Sequence, residues 1–191
     1  MIDIQKEIEK KFPNINKKDN FLKKSLFKVA KKIVHEDSIN QFLTQNAHLK
    51  GFEFVDAVLD YFDFDYTVSS SDLQNIPTSG KVVIIANHPL GGLDALCLLR
   101  LISQVRKDVK IVANDFLAGF EALNSLLIPI DNYKLRQSKN DIKKIYEALN
   151  NEEAIILFPA GEVSRATPKG IKDPAWNKGF LNFAQNSNAP I

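Results

Sequence analysis

Residues 86–96, ANHPLGGLDAL, place a histidine directly after a β-branched apolar run and an aspartate at position 94, where an apolar helical pattern begins. An imidazole gains and loses protons near neutral pH. A carboxylate on its Nδ1 side would fix the tautomer, so that Nε2 faces outward as a base. Gly91 and Gly92 let a tight loop approach a sheet edge and leave space for a ligand. A helix opening near Leu93 would turn its first backbone N–H groups toward the same mouth. The other two histidines, His35 and His48, lie in a polar helical region and read as surface residues. An ordinary strand-to-helix turn uses the same residue types, so spacing alone leaves catalytic dyad and structural turn both open.

Other chemistries lack their parts. The chain has no Gly-x-Ser-x-Gly elbow and no Gly-x-Gly-x-x-Gly, and PLGGLD lacks the lysine of a phosphate loop. Its one cysteine, Cys97, lies inside the apolar run LDALCLLRLI, which reads as core. A single cysteine excludes an intrachain disulfide framework or a cysteine-built zinc site, and this fits a reducing cytoplasm. A metal held by His88, Asp94 and Asp115 would rest on one histidine, so neither metal nor cofactor is expected.

The elements that must position these residues follow from periodicity. Short apolar runs, KVVIIAN (81–87), VKIVAN (109–114), LLIPI (126–130) and AIILFP (154–159), alternate with helix-length segments LDALCLLRLISQV, FLAGFEALNS and SKNDIKKIYEALNN. Continuous apolar strands separated by helices predict an α/β fold with a mostly parallel sheet covered by helices. Ligands of such sheets bind beyond the carboxyl ends of the strands. That edge collects His88 to Asp94, Asn114 and Asp115, Asp131, and Pro159 to Ser164. Asn114 and Asp115 equally suit a helix N-cap, and Glu162 a solvated turn.

The α/β domain is expected over 64–191, opening with FDYTVS (64–69) as a strand. It follows a basic helical region, 1–63, with helices at 38–45 and 52–62. The closing FLNFAQNSNAPI reads as helix, turn and the first residue of another strand. The domain is therefore expected to be incomplete at its C-terminus.

In this order NHPLGGLD, VANDFLAG, LLIPIDN and FPAGEVS resemble the motifs of the glycerolipid (PlsC-like) acyltransferase superfamily. The closest likeness is to its hemolysin-like branch of lysophospholipid and ornithine-lipid acyltransferases, over about residues 50–191. The resemblance implies that His88 deprotonates an acceptor hydroxyl or amine and that Asp94 orients the imidazole. The acceptor would attack the thioester of acyl-CoA or acyl carrier protein without an acyl-enzyme intermediate. It also implies substrate contacts from Asn87, Pro89, Gly91, Gly92, Asn114, Asp115, Asp131, Phe158, Pro159, Gly161, Glu162, Ser164 and Arg165.

The departures bear on the acceptor. The His-to-Asp interval holds one residue more than the common motif. Asp131-Asn132 stands where Asp-Arg is common, and Ala160 and Val163 replace the Glu and Arg of Phe-Pro-Glu-Gly-Thr-Arg-Ser. These losses disfavour glycerol phosphate, unless Arg165 or Arg136 substitutes, and leave an amino-acid or other lipid head group. Other classes on the same fold are a non-catalytic lipid-binding or scaffold protein and a thioester hydrolase.

Charge is uneven along the chain. The whole carries +2, but residues 1–50 hold eleven Lys against six Asp and Glu, an excess of five, which leaves −3 for the remainder. Nothing here calls for a nucleic-acid partner. Residues 19–34 combine Phe21, Leu22, Leu26, Phe27, Val29 and Ile33 with Lys23, Lys24, Lys28, Lys31 and Lys32. A basic amphipathic helix of this kind either packs on the domain or docks on an anionic membrane surface. No run approaches the roughly 20 apolar residues of a membrane span, and the N-terminus lacks a signal-peptide pattern. A cytoplasmic protein, peripheral to the inner face of the membrane, is expected.

Overall fold

The computed structural model describes residues 3, 5, 6, 9, 27, 35–114, 117, 119–130, 138–168 and 170–191. The chain divides into two compact units, Met1–His48 and Leu49–Ile191. Helix 52–62, assigned from the sequence to the N-terminal region, therefore lies in the second unit. The first unit shows helix α1, Glu36–Gln45, entered through His35 in the left-handed region at φ 54°. Apart from Phe27, the amphipathic segment 19–34 lies outside the described residues.

The second unit contains α2 (Phe52–Tyr61), α3 (Ser70–Leu73), β1 (Val82–Ile85), α4 (Gly92–Ser103) and β2 (Val109–Asn114). A 3-10 helix follows (Glu121–Leu126), then β3 (Leu127–Ile130), α5 (Lys139–Asn150), β4 (Ala154–Leu157), the strands β5 (Arg165–Thr167) and β6 (Gly170–Lys172), and α6 (Gly179–Ser187). The four main strands form one sheet in the order β1-β4-β2-β3. All its pairings are parallel: Val82 lies beside Ala154, Val109 beside Ala154 on the other edge of β4, and Ile111 beside Leu127.

β4 is central and buried along its whole length, as a run of Ala, Ile, Ile and Leu without polar alternation requires. Val83, Val112, Ile128, Ile155 and Leu157 pack with Ile145, Ala148 and Leu149 of α5 and Ala184 of α6. Alternation along the strands sends Ile111 and Ile156 to the opposite face, where they are equally buried. α4 packs on β2 and on α2.

Two segments depart from expectation. FDYTVS joins no ladder, and its Tyr66 hydroxyl accepts from Gln104 Nε2 at 2.7 Å, just past the end of α4. FLAGFEALNS was expected as a full helix, but its latter half is the 3-10 helix leading into β3. The closing residues form the expected helix and turn, but 189–191 form no strand. Asn188 caps α6 at φ 50°, and the Pro190 carbonyl accepts from Val83 N–H at 2.9 Å on β1.

Candidate active site

The sheet order explains how the site forms. β1 and β4 are neighbours, so the loops leaving their carboxyl ends meet. Ala86 N–H continues the ladder to the Leu157 carbonyl at 3.2 Å, and two residues later the His88 ring lies on Phe158. The rings stack with centroids 4.0 Å apart and planes 22° from parallel. Ser164 N–H then donates to the His88 carbonyl at 2.8 Å, binding the FPAGEVS loop to the histidine's own backbone.

From the other side, α4 delivers Asp94 in its first turn. Gly91 precedes the helix at φ 72°, a conformation L side chains rarely adopt, and a Cβ there would stand 3.5 Å from Val163. The turn brings Asp94 Oδ2 to 2.7 Å from Leu90 N–H and 3.2 Å from His88 Nδ1. Both side chains are mostly buried, at 17% and 14% exposed. Nδ1 is within ion-pair distance of the carboxylate, yet the contact lacks hydrogen-bond alignment. Catalytic hydrogen bonds are commonly long before substrate closes the site. Burial holds His88 below the ordinary imidazole range, while Asp94, and after it Asp173, pull the other way. Burial thus favours the uncharged imidazole, and the Asp94 carboxylate lies on its Nδ1 side.

His88 lines a cleft of about 260 Å³ together with Gly91, Gly92, Ala95, Ile111, Val112, Ala113, Leu117, Ile130, Leu157, Phe158, Gly161, Glu162 and Val163. Most of the lining residues are apolar, as a hydrocarbon chain would need, with His88 and Glu162 as the polar members. A larger groove of about 360 Å³ is lined by residues of β3 and α5 with Lys110, Lys144 and Glu147. It contains no imidazole, and Lys110 donates to the Ser125 carbonyl at 2.6 Å.

Of the residues singled out in the sequence, His88, Gly91, Gly92, Phe158, Gly161 and Glu162 share that cleft. Asn87 and Pro89 belong to the same loop but do not line it, and Asn87 is exposed. Pro159 is buried, and its carbonyl accepts from Asn177 N–H at 2.8 Å. Ser164 gives its hydroxyl to Asp173. Arg165 Nη2 donates to both Glu162 carboxylate oxygens, at 2.7 and 2.9 Å. Asn114 ends β2, and its side chain lies outside the described residues, as do Asp115, Asp131, Asn132 and Arg136.

Sequence reasoning missed Asp173 and Trp176, which the β5–β6 hairpin brings back to the site. The turn signal of Pro168 and Gly170 between short strands was available for that hairpin. Among the described residues no group of His, Cys, Asp and Glu could hold a metal ion.

The chain is similar to two curated proteins, both named lyso-glycine lipid O-acyltransferase. One, from Phocaeicola vulgatus, is 33% identical over 95% of this chain. The other, from Bacteroides thetaiotaomicron, is 32% identical over 95% of it. The matched region spans 63% and 65% of their respective lengths. No solved structure matches the chain significantly. A family model described as acyltransferase matches residues 7–191, which include β1, β4 and the loops that hold His88, Asp94 and Phe158; the chain belongs to that acyltransferase family.

Proposed function

We propose that the chain transfers a fatty acyl group from the thioester of acyl-CoA or acyl carrier protein to the hydroxyl of a lysolipid. The observation that carries this reading is an imidazole with a carboxylate 3.2 Å from its Nδ1, set in the wall of a mostly apolar cleft. His88 Nε2 takes the proton of the acceptor hydroxyl as its oxygen attacks the thioester carbonyl. The new C–O bond gives a tetrahedral intermediate. Its collapse breaks the C–S bond, and the leaving thiolate recovers the proton from the imidazolium. Asp94 stabilises the imidazolium between these steps. Among the described residues neither Cys97 nor Ser164 lines the cleft, in keeping with direct transfer rather than an acyl-enzyme.

The names of the two relatives support a lyso-glycine lipid as acceptor and oxygen as the attacking atom. Asn132, Ala160 and Val163, where the glycerolipid motifs carry Arg, Glu and Arg, support an acceptor other than glycerol phosphate.

Such an acceptor lives in a bilayer, so the enzyme is proposed to work at the cytoplasmic face as a peripheral protein. No helix among the described residues is long and apolar enough to cross a membrane. Leu90 and Val163, both exposed, flank Gly91 at the cleft and would face the lipid. Residues 19–34 would add a basic apolar helix.

Incubating the purified chain with a lyso-glycine lipid and either palmitoyl-CoA or palmitoyl carrier protein tests the reaction. Thiol release and lipid mass are followed together. One donor is expected to yield the O-acylated lipid. Thiol release independent of acceptor would make the protein a thioester hydrolase, and no turnover with either donor would leave a lipid-binding protein.

A further inference from the structure

We infer that Asp173 is a positioning residue for His88, acting through Ser164. Its carboxylate takes the Ser164 hydroxyl on one oxygen and Trp176 Nε1–H at 2.9 Å on the other, and Ser164 N–H holds the His88 carbonyl at 2.8 Å. An indole N–H only donates. The oxygen facing Trp176 must therefore accept, and an ionised carboxylate satisfies both partners at once. The hydrogen bonds from Ser164 and then Trp176 hold Asp173 below the usual carboxylate range, with the His88 backbone N–H and imidazole adding to the same effect. The neighbouring contact of Asn177 N–H with the Pro159 carbonyl at 2.8 Å ties the two ends of the FPAGEVS-to-Trp176 segment together. Three chain segments thus converge on the imidazole: the loop after β1, the loop after β4, and the strand exit after β6.

The carboxylates act differently. Asp94 touches Nδ1 directly. Asp173 fixes the backbone that carries the ring and sets a second negative charge near it. Among the described residues Glu162 lies in the cleft wall, and Arg165 is bound to Glu162 and offsets it. Asp173 thus contributes to the negative field on His88 without touching the ring.

This inference rests on His88 being the base, and its test separates the two. Asp173→Asn keeps the shape: its amide oxygen can still accept from Trp176, and its NH₂ can face the Ser164 hydroxyl, while the charge is lost. Asp173→Ala removes both contacts. Ring-labelled histidine NMR follows the titration of His88 in the full chain. Its resonance is assigned by its loss in His88→Ala, with His35 and His48 as internal references.

Asp173→Asn is expected to shift the His88 titration and the acid limb of kcat/KM to lower pH together. Asp173→Ala is expected to lower kcat by up to about a hundredfold, the scale of a small misplacement of a reacting group. Ser164→Ala combined with Asp173→Ala should cost no more than Asp173→Ala alone. Unchanged titration and kcat in both Asp173 variants would overturn the positioning role while leaving the base intact. A loss of kcat that tracks a fall in melting temperature, with the titration unmoved in Asp173→Asn, would overturn it as well. Wild-type turnover by His88→Ala would instead remove the base reading itself.

Discussion

Arg106 and His88 stand at opposite ends of the same sheet, and their surroundings differ in kind. Arg106, ahead of β2, has a side chain only 2% exposed. Its Nε and Nη2 each lie 2.7 Å from an oxygen of Asp108. Nη1 reaches the Pro77 and Gly80 carbonyls at 3.2 and 2.7 Å, and Nη2 reaches the Glu152 carbonyl at 2.9 Å. One guanidinium thereby joins the approaches to β1, β2 and β4. His88, at the carboxyl ends, is buried without an aligned hydrogen bond at Nδ1, and burial depresses its proton affinity. A buried charge with every donor satisfied holds a structure together, whereas a buried base with spare capacity can still react. The amino edge of the sheet is fully satisfied, whereas the carboxyl edge keeps unspent polar capacity.

Substitutions should separate the two. His88→Ala is expected to lower kcat/KM by about 100- to 10,000-fold, the usual worth of a general base. Its stability should change little. The lost ring stack, about 0.5–1.5 kcal/mol, is offset by removing a desolvated nitrogen. Steady-state kinetics beside urea denaturation checks both halves, and a large drop in stability would erase the contrast.

Arg106→Met should do the reverse. It leaves the Pro77, Gly80 and Glu152 carbonyls without their donor and Asp108 without its partner, a loss of about 3–5 kcal/mol in unfolding free energy. Turnover per folded molecule should stay at the wild-type value.

The smallest expected effect is in pH. The folded imidazole is held below its ordinary value, so the unfolded chain binds that proton first as pH falls. His88 therefore withdraws stability once pH drops below about 6.5, until the folded ring protonates too. The same depression puts the acid limb of kcat/KM below about pH 6.5. In Asp94→Asn the counteracting carboxylate is gone, so the limb should move lower still while the maximal rate falls. A limb above pH 6.5 in the wild type would contradict the burial argument.

What the sequence disclosed follows from range. VVII, LIPI and AIIL announce strands as short apolar runs without polar alternation, and VKIVAN departs only at Lys110, whose amine reaches the Ser125 carbonyl, and at Asn114 where the strand ends. His88 and Asp94 are legible because one loop and one helical turn join them. Asp173 was invisible for the opposite reason: it reaches His88 only after the β5–β6 hairpin folds back, and nothing local in IKDPAW marks it. Nothing local marks Arg106, since its carbonyl partners come from two distant segments, Pro77 with Gly80 and Glu152. FDYTVS alternates like a strand, but alternation records half-burial and not the presence of a ladder partner. Tyr66 is held by Gln104 without one.

The insertion of β4 between β1 and β2 has a kinetic consequence. Lys81 N–H donates to the Glu152 carboxylate at 3.0 Å just ahead of the β1–β4 ladder, and the two residues are 71 apart in the chain. A contact that distant closes a long loop before it gains anything in return. The helices can form early from local contacts, but the stacking of His88 on Phe158 must wait for β4 to find its slot. In refolding from denaturant, helical circular dichroism should therefore recover ahead of catalysis. Activity should return with the slowest phase, as a late reporter of correct strand order.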